Sequence, residues 1–388
     1  MAQHRTPLME NLESRTLMAV NTPVGYTPQQ IRHAYNVDKI WYKNKKTGLN
    51  YKGTGEGQTI AIVDAYDHPR ITSDFKIFNK AFGLPNYGKD GKLLLTKKVA
   101  PAARANLTAP VPRVDRGWAE EIALDVQWAH AMAPRAKIVL VEAQSATWDD
   151  FLMAMNTARN IPGVSVISLS LGSVGGELGK WQDAYDNYFL TPKDHIGPDG
   201  KKGGGITSVV SSGDVGAVTS WPAVSKNVLS VGGTNLTVDA AGNWLSESAW
   251  VEGGGGPPQF SNPNHSPHVA MVADPASGVA IYNSIPNEST GQTGWFQIGG
   301  TSASAPMWAG LLAVVNEGRT LLGKKTLDGV KDVLPWIQTN PSGSFHDIIS
   351  GSNGFNATVG FDYATGIGTP KSHKVARSLI LWDAPVIT

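Results

Sequence analysis

The sequence of 388 residues contains no cysteine and carries little charge. The absence of cysteine excludes disulfide bonds, thiolate nucleophiles, iron–sulfur clusters and cysteine-ligated zinc sites. It does not exclude export, because a large domain with a good apolar core folds without disulfides. Lys and Arg number 33 against 32 Asp and Glu, a formal net charge of +1. That balance argues against proteins that bind nucleic acid or a membrane surface through clustered positive charge.

Long apolar runs are also missing. No stretch approaches ~18 uninterrupted apolar residues, so the sequence predicts no transmembrane helix. Hydrophobic residues nevertheless make up 41% of the chain, which is enough to form a core and to exclude wholesale disorder. The 43 glycines exceed the usual share of roughly 7% and indicate many turns and close backbone contacts.

Strand-like and helix-like patterns alternate along the chain from Tyr26 onward. Apolar runs suited to buried strands occur over 59–64, 137–142, 164–171, 206–211 and 228–231, and helical patterns over 71–82, 118–133, 147–159 and 179–189. The Pro-rich stretch 86–116 is predicted to be loop. This alternation predicts an α/β fold with a mostly parallel central sheet covered by helices on both faces. No linker divides 26–388, so we expect one domain there, preceded by a tail over 1–25.

The segment 298–309, IGGTSASAPMWA, places a serine at the start of an apolar helix. Ser302 follows two glycines and Thr301, and Pro306 is expected in the first helical turn, where a missing N–H is tolerated. A hydroxyl at that place lies near unpaired backbone donors and the positive end of the helix dipole, which suits a nucleophile. The alternative, that Thr301 or Ser302 is simply an N-cap, is favoured when the segment is taken alone.

The helical pattern over 117–134 supplies two carboxylates in place of a histidine base. Glu121 and Asp125 are four residues apart and therefore share one helix face, whereas Glu120 points about 140° away from Asp125. Like charges on an apolar face raise at least one pKa and allow a shared proton, as a general base and its partner require. The alternative is a solvated acidic pair. None of the nine histidines begins a helix in the manner of a subtilisin-like enzyme.

A third acid follows the predicted strand 206–211. Asp214 lies between two glycines in SSGDVGA, at the kind of strand end that often carries function in α/β sheets. A protonated carboxyl there would donate a hydrogen bond to a developing oxyanion. The alternative is an aspartate that only stabilises a glycine-flanked turn.

These three segments, in this order, resemble those of the sedolisins, the serine-carboxyl peptidases of subtilisin-like fold. The resemblance runs from about 59 to 370 and implies a three-layer subtilisin-like α/β domain. It also implies roles for four residues, with Ser302 the nucleophile, Glu121 the general base, Asp125 its orienting carboxylate and Asp214 the acid that stabilises the oxyanion. Endopeptidase or tripeptidyl-peptidase activity at acidic pH is implied too.

The resemblance extends to two further features. Asp64, at the end of the first predicted strand, corresponds to a position where some relatives carry another acid of the same hydrogen-bond network. The Gly- and Asn-rich stretch 345–370 has the form of the family's calcium loop, and hard cations such as Ca²⁺ prefer six to eight oxygen ligands. The implied Ca²⁺ ligands are the carboxylates of Asp347 and Asp362 and the carbonyls of Ile348, Thr358 and Gly360.

Partners and location follow from the same resemblance. We expect peptide or unfolded protein substrates, no nucleic-acid partner and a monomer. The stretch LMENLESRTLMAV resembles a short N-terminal segment of exported proteins from planctomycete-like bacteria, so a secreted or cell-surface protein is expected, although Met1–Val20 lacks the apolar core of an ordinary signal peptide. The alternative for this stretch is a disordered leader.

Three other functions compete with the peptidase. A catalytically silent surface-binding protein of the same fold is suggested by the short stretch before the first strand, since many sedolisins carry a long prodomain. A glycosidase would use Glu121 and Asp125 but leaves the Ser302 segment unexplained. A Ser-His-Asp hydrolase requires a histidine beside Ser302.

Overall fold

A computed structural model of the chain describes residues 22–43, 48–104, 109–173, 176–260, 265–339, 341 and 343–383. The export-like stretch and the rest of the predicted tail up to residue 21 lie outside the described residues. Among the described residues, Tyr26 forms a β-bridge to Val279.

Fourteen strands occur in the described residues: β1 Trp41–Lys43, β2 Asn50–Lys52, β3 Thr59–Ala65, β4 Leu95–Val99, β5 Lys137–Ala143, β6 Val164–Leu169, β7 Thr207–Ser211, β8 Leu229–Val238, β9 Trp244–Ala249, β10 Val269–Val272, β11 Val279–Asn283, β12 Gly294–Ile298, β13 Phe345–His346 and β14 Thr369–Pro370. Eight α-helices accompany them there: α1 Pro28–Ala34, α2 Ile71–Phe82, α3 Arg116–Met132, α4 Trp148–Arg159, α5 Gln182–Tyr185, α6 Thr301–Leu321, α7 Leu334–Gln338 and α8 Ser372–Leu381. Short 3₁₀ segments span Val37–Lys39, Gly179–Trp181, Asp186–Phe189 and Pro275–Ser277, and a π segment spans Gly329–Val333.

The central sheet has eight strands. Seven of them run parallel in the order β10-β8-β7-β6-β3-β5-β4, and β9 adds to β8 in the antiparallel sense. The predicted mostly parallel sheet between helices is therefore confirmed. Because β3 lies between β6 and β5 in this sheet, its carboxyl end opens next to the ends of those two strands.

The two faces of the sheet belong to two separate hydrophobic clusters. On β3, Ile60 and Ile62 pack into the cluster that contains α3 and α6, whereas Ala61 and Val63 pack into the cluster that contains α4. This alternation is the period of two expected of a strand buried on both sides. Asp64 continues the first series, so its side chain points to the face covered by α3 and α6.

Helices α3 and α6 pack closely against each other on that face. A Cβ added to Gly310 of α6 would stand 2.5 Å from the Cβ of Met132 on α3, so only glycine allows this approach. The contact brings the Glu121 side of α3 towards the amino end of α6. Among the described helices, none combines the length and the apolar character that a bilayer-crossing segment needs.

Three local predictions were wrong. The stretch predicted as loop over 86–116 contains the edge strand β4, whose exposed face of Thr and Lys hides its alternation. The helix predicted over 179–189 is broken into two 3₁₀ segments around the four-residue α5. The spacing of Thr147 and Asp150 predicts a capping box at the start of α4. Thr147 does cap the helix, but the reciprocal bond is missing, because the Asp150 carboxylate accepts from Ser145 and the Ala103 N–H instead.

Candidate active site

Ser302 is the second residue of α6 and is 2% exposed. The N-cap is Gly300, at a φ of 105° that favours glycine, so the interpretation of Thr301 or Ser302 as the cap is wrong. The position keeps the Ser302 side chain in the first turn, beside backbone N–H groups that have no partner within the helix. This is the environment in which negative charge on the oxygen is least costly.

Pro306 lies in the second turn of α6, as the sixth helical residue, and not in the first turn as predicted. Proline has no N–H, so the carbonyl of Ser302 loses its regular bond from the residue four positions later. Ser170, which directly follows β6, replaces it, since its Oγ lies 3.3 Å from the Ser302 carbonyl oxygen and 2.8 Å from Oδ1 of Asp125. One serine hydroxyl thus connects the nucleophile's backbone to the carboxylate pair.

Glu121 and Asp125 lie on the inner face of α3, and their side chains belong to residues that are only 8% and 0% exposed. The alternative of a solvated acidic pair is therefore wrong. A hydrogen bond joins the side chains of Ser302 and Glu121. Burial raises the pKa of Glu121 well above its usual range, the charge of Asp64 adds to the shift, and the bond from Ser302 opposes it.

Asp64 is the third carboxyl of this cluster and is fully buried. Burial, followed by repulsion from Glu142 on the neighbouring strand, raises the pKa of Asp64 to about 8. Burial and the charges of Asp64 and then Glu121 likewise raise the pKa of Asp125 well above its usual range, while the Ser170 hydroxyl opposes the shift. Below neutral pH the cluster therefore holds protons that isolated carboxyls would have lost.

The hydrogen bonding of the cluster leads to the same conclusion. Both oxygens of Asp64, Oε1 of Glu121 and Oδ2 of Asp125 are buried with no hydrogen-bond donor among the described residues. Buried polar atoms are rarely left unsatisfied, and a carboxyl group supplies its own donor once it is protonated. Protons shared among the three groups are the simplest source of the missing hydrogen bonds.

Asp214 lies in the loop that follows β7 and is bonded to the start of α6. Its Oδ1 accepts hydrogen bonds from the Thr301 N–H at 2.8 Å and from the Thr301 hydroxyl at 2.7 Å. Thr301 also accepts from the Gly213 N–H, so this loop and the helix terminus hold each other in place. The carboxyl group is thereby fixed one residue from Ser302, and its charge also acts on Glu121.

The buried histidines are engaged elsewhere. His68 contacts Asn283 and Asp74, and His268 accepts from the Ser230 N–H. His130 and His195 bind the carbonyls of Pro85 and Val164. The bonding partners of the Ser302 region come instead from carboxyl and hydroxyl groups, as described above. This arrangement gives no support to the Ser-His-Asp alternative.

Two residues of the cluster are absent from the sequence-based prediction. Ser170 and Glu142 both lie at carboxyl ends of parallel strands, the edge at which functional groups of such sheets collect. The sequence-based prediction uses that rule for Asp214 only. Both missed residues lie within apolar strand patterns, VISLSL and KIVLVE, and these patterns predict ordinary buried strand positions.

The predicted calcium loop brings its two carboxylates to one short segment. Asp347 accepts from the Gly360 N–H, at 3.0 Å through Oδ2, and Asp362 Oδ2 accepts from the Thr358 N–H at 2.9 Å. The carbonyl groups of Ile348, Thr358 and Gly360 accept no hydrogen bond from any described residue. Within the described ranges no cluster of three or more His, Cys, Asp or Glu side chains could hold a metal. Two carboxylates with three available carbonyls nevertheless fit an oxygen-seeking cation.

Comparison with known proteins decides the family. A family model described as "Subtilase family" matches residues 117–339, more than half of the chain, and spans α3 to the end of α7. The chain belongs to the subtilase family. A solved structure of Pseudomonas sedolisin, described as a serine-carboxyl proteinase complexed with two molecules of pseudo-iodotyrostatin, has a TM-score of 0.69 and 25% identity, with 92% of this chain and 98% of that chain covered.

Relatives of known name place the chain among the sedolisins within that family. Kumamolisin from Bacillus sp. (strain MN-32) is 29% identical, with 92% of this chain and 64% of that protein covered. Tripeptidyl-peptidase 1 from Dictyostelium discoideum is 27% identical, with 95% and 61% covered, and sedolisin from Pseudomonas sp. (strain 101) is 32% identical, with 58% and 43% covered. The chain thus spans less than two thirds of the length of each of these relatives. Membership of a peptidase family argues against the glycosidase alternative.

Proposed function

We propose that this sedolisin-family chain is a serine-carboxyl peptidase that hydrolyses peptide bonds through an acyl-enzyme on Ser302, at acidic pH. One observation carries the proposal, namely that the Ser302 hydroxyl is hydrogen-bonded to Glu121 inside a buried, proton-sharing carboxyl cluster. A hydroxyl needs a base to attack a carbonyl, and the carboxylate that contacts it is the group placed to take its proton.

In the first half of the reaction the Ser302 oxygen attacks the peptide carbonyl carbon while its proton moves to ionised Glu121. The carbonyl oxygen becomes an oxyanion, to which a protonated Asp214 donates a hydrogen bond. Glu121 then gives the proton to the departing amine as the C–N bond breaks, which leaves an ester on Ser302. In the second half, water attacks the ester, Glu121 takes a proton from it, and that proton returns to the Ser302 oxygen as the ester bond breaks.

The three buried carboxyls set the charge on the base. Because each negative charge raises the pKa of its neighbours, the cluster loses its first proton at lower pH than the others. One shared charge leaves Glu121 able to act as a base while Asp125 and Asp64 remain largely protonated. Activity is expected to fall at low pH as this first charge is lost, and the donor role proposed for Asp214 requires a protonated carboxyl, which acidic pH favours.

A calcium ion bound at 347–362 is part of the proposal, since the donors there fit it. Asp347 and Asp362 with the carbonyls of Ile348, Thr358 and Gly360 would hold the ion, which would neutralise the two carboxylates and fix the loop. We also propose peptides or unfolded proteins as substrates, release of the protein from the cell or display at its surface, and a monomer in solution.

Digestion of casein from about pH 3 to 7 by the purified chain tests the activity. We expect acid-dependent cleavage that Ser302→Ala abolishes. Ser304→Ala is the matched control, because that buried serine lies two residues away and donates to the carbonyls of Met271 and Val272. Equal cleavage by wild type and Ser302→Ala would reject the mechanism, and no cleavage at any pH by the folded wild type would favour the surface-binding alternative.

A further inference from the structure

The ammonium group of Lys97, on the edge strand β4, is directed towards buried carboxyl groups and not into the solvent. Its ammonium donates a hydrogen bond to Asp67 and another to the His68 carbonyl at 3.3 Å. The same nitrogen lies 2.8 Å from Oε1 of Glu142, whose side chain is fully buried. Burial opposes the charge of Lys97, but the contacts with Asp67 and Glu142 raise its pKa above the usual value. Lys97 is therefore a firmly held positive charge.

Strand register connects this charge to the proposed active site. Glu142 on β5 is the direct partner of Asp64 on β3, and Lys97 pairs with Leu140, the residue two before Glu142. Leu95, Leu140 and Ile62 all pack into the cluster that contains α3 and α6. Since alternate residues share a face, Lys97, Glu142 and Asp64 lie side by side on that face. Glu121 and Asp125 of α3 cover the same row.

The proposed catalytic steps do not use Lys97, Asp67 or Glu142. The ammonium group of Lys97 contacts a buried carboxylate. Its positive charge favours the ionised form of nearby acids and so lowers their pKa. Burial raises the pKa of Glu142 to about 7, and the contact with Lys97 opposes that rise. Because Glu142 lies between Lys97 and Asp64 on this face, the Lys97 charge also acts on the carboxyl cluster directly and favours a negative charge there.

We propose that Lys97 is a positioning residue that, together with Asp67 and Glu142, sets the pH at which the Asp64–Asp125–Glu121 cluster first ionises and so the acid limit of the reaction. The inference rests on the proposed peptidase function. Lys97 touches neither substrate nor Ser302. Its positive charge acts directly on the row of carboxyls and favours the first negative charge there, while Asp67 and Glu142 hold the ammonium in place.

The other charged groups around the row are few. From the chain just after β3, Asp67 faces both Lys97 and Glu142 and partly offsets the positive charge. From α3, Glu120, Glu121 and Asp125 face Asp64 or one another, and Asp214 acts on Glu121 from the loop after β7. On α4, which packs on the opposite face, Asp150 is engaged by Ser145 and the Ala103 N–H. Lys97 is thus the cation that faces this acidic row among the residues described here.

The test compares Lys97→Met with Lys98→Met in the full chain. Lys98 is the next residue of β4, and its side chain points to the other face of the sheet. Lys98→Met removes the same unit of charge as Lys97→Met and is therefore a matched control. The measurement is kcat/KM against pH for an internally quenched peptide that the wild type cleaves. Because a lost cation makes acids harder to ionise, we expect the acid limb of Lys97→Met to move about half a unit to higher pH. Lys98→Met should match wild type, and Lys97→Arg should restore most of the wild-type position.

A second readout does not depend on activity. The infrared band of protonated carboxyl groups, followed while pH is raised, should disappear at higher pH in Lys97→Met than in wild type and Lys98→Met. An acid limb and a carboxyl titration that coincide in all three proteins would overturn the inference. If wild type cleaves no peptide, the proposed function fails, and the infrared titration still decides whether Lys97 controls the cluster.

Discussion

Removing the Ser170 hydroxyl should destabilise the amino end of α6 in a way that Pro306 amplifies. Ser170→Ala deletes the group that lies 2.8 Å from Asp125 and 3.3 Å from the Ser302 carbonyl. In wild type that carbonyl has no regular helical partner, because Pro306 lacks an N–H. The variant therefore leaves a buried acceptor unsatisfied, at the very residue proposed as nucleophile.

The magnitude follows from the usual costs of such losses. A typical hydrogen bond contributes about 1 kcal/mol, and a buried acceptor left without a partner costs about 1–3 kcal/mol. We therefore expect Ser170→Ala to lower the free energy of unfolding by about 2 kcal/mol. In a Pro306→Ala background the new N–H can donate to the Ser302 carbonyl, so the same change should cost about 1 kcal/mol less.

The assay is a double-mutant cycle of wild type, both single variants and the double variant, unfolded with denaturant and followed by tryptophan fluorescence. The cycle cancels the effect of Pro306→Ala on the unfolded chain. Ser168→Ala is the control, since that buried hydroxyl lies two residues earlier and has no hydrogen-bond partner among the described residues. It should cost under about 0.5 kcal/mol. Additivity within about 0.3 kcal/mol would refute the assignment of Ser170 as the replacement donor.

Other predictions concern the cation loop, the buried acid and the oxyanion. Added Ca²⁺ should raise the melting temperature of wild type, and Asp347→Asn should abolish most of the rise; calorimetric titration showing no Ca²⁺ binding to wild type would contradict the site. Because the folded pKa of Asp64 lies above its unfolded value, its protonated form stabilises the fold at low pH and that contribution is lost as pH rises towards about 8. Asp64→Asn should thus match wild type in stability near pH 3 and exceed it by a few kcal/mol near pH 7. Unfolding curves in which wild type is the more stable protein near pH 7 would contradict the raised pKa of Asp64. Asp214→Ala should lower kcat about 10²–10³-fold with little change in KM, measured on a short peptide; an unchanged kcat would remove Asp214 from the oxyanion role.

Much of the scaffold was accessible from the sequence because its signals are local. The apolar run over 59–64 and the helix over 71–82 follow from strand composition and from the Gly83 stop, and the structure places them at Thr59–Ala65 and Ile71–Phe82. The helical spacing of Glu121 and Asp125 also predicted their shared face. Their burial did not follow from that spacing, and only the packing of α6 on α3 shows it.

What escaped prediction depends on contacts between distant segments. Strand β4 has one solvated face, so its sequence does not show a clear strand pattern. The inward orientation of Lys97 depends on its contacts with Asp67 and Glu142, which are 30 and 45 residues away in the sequence. The role of Ser170 likewise depends on the position of Pro306 in the second turn of another element. Local patterns carry no information on such pairings.

The most direct test is the kcat/KM of Glu121→Gln measured beside Glu120→Gln. The two acids are neighbours on α3 and both are buried, but only Glu121 is hydrogen-bonded to Ser302, whereas Glu120 accepts from Asn287. If a carboxylate takes the proton from the attacking hydroxyl, Glu121→Gln should lower kcat/KM by about 10²–10⁴-fold in a folded protein, while Glu120→Gln stays within about tenfold of wild type. Wild-type kcat/KM in folded Glu121→Gln would show that another group is the base.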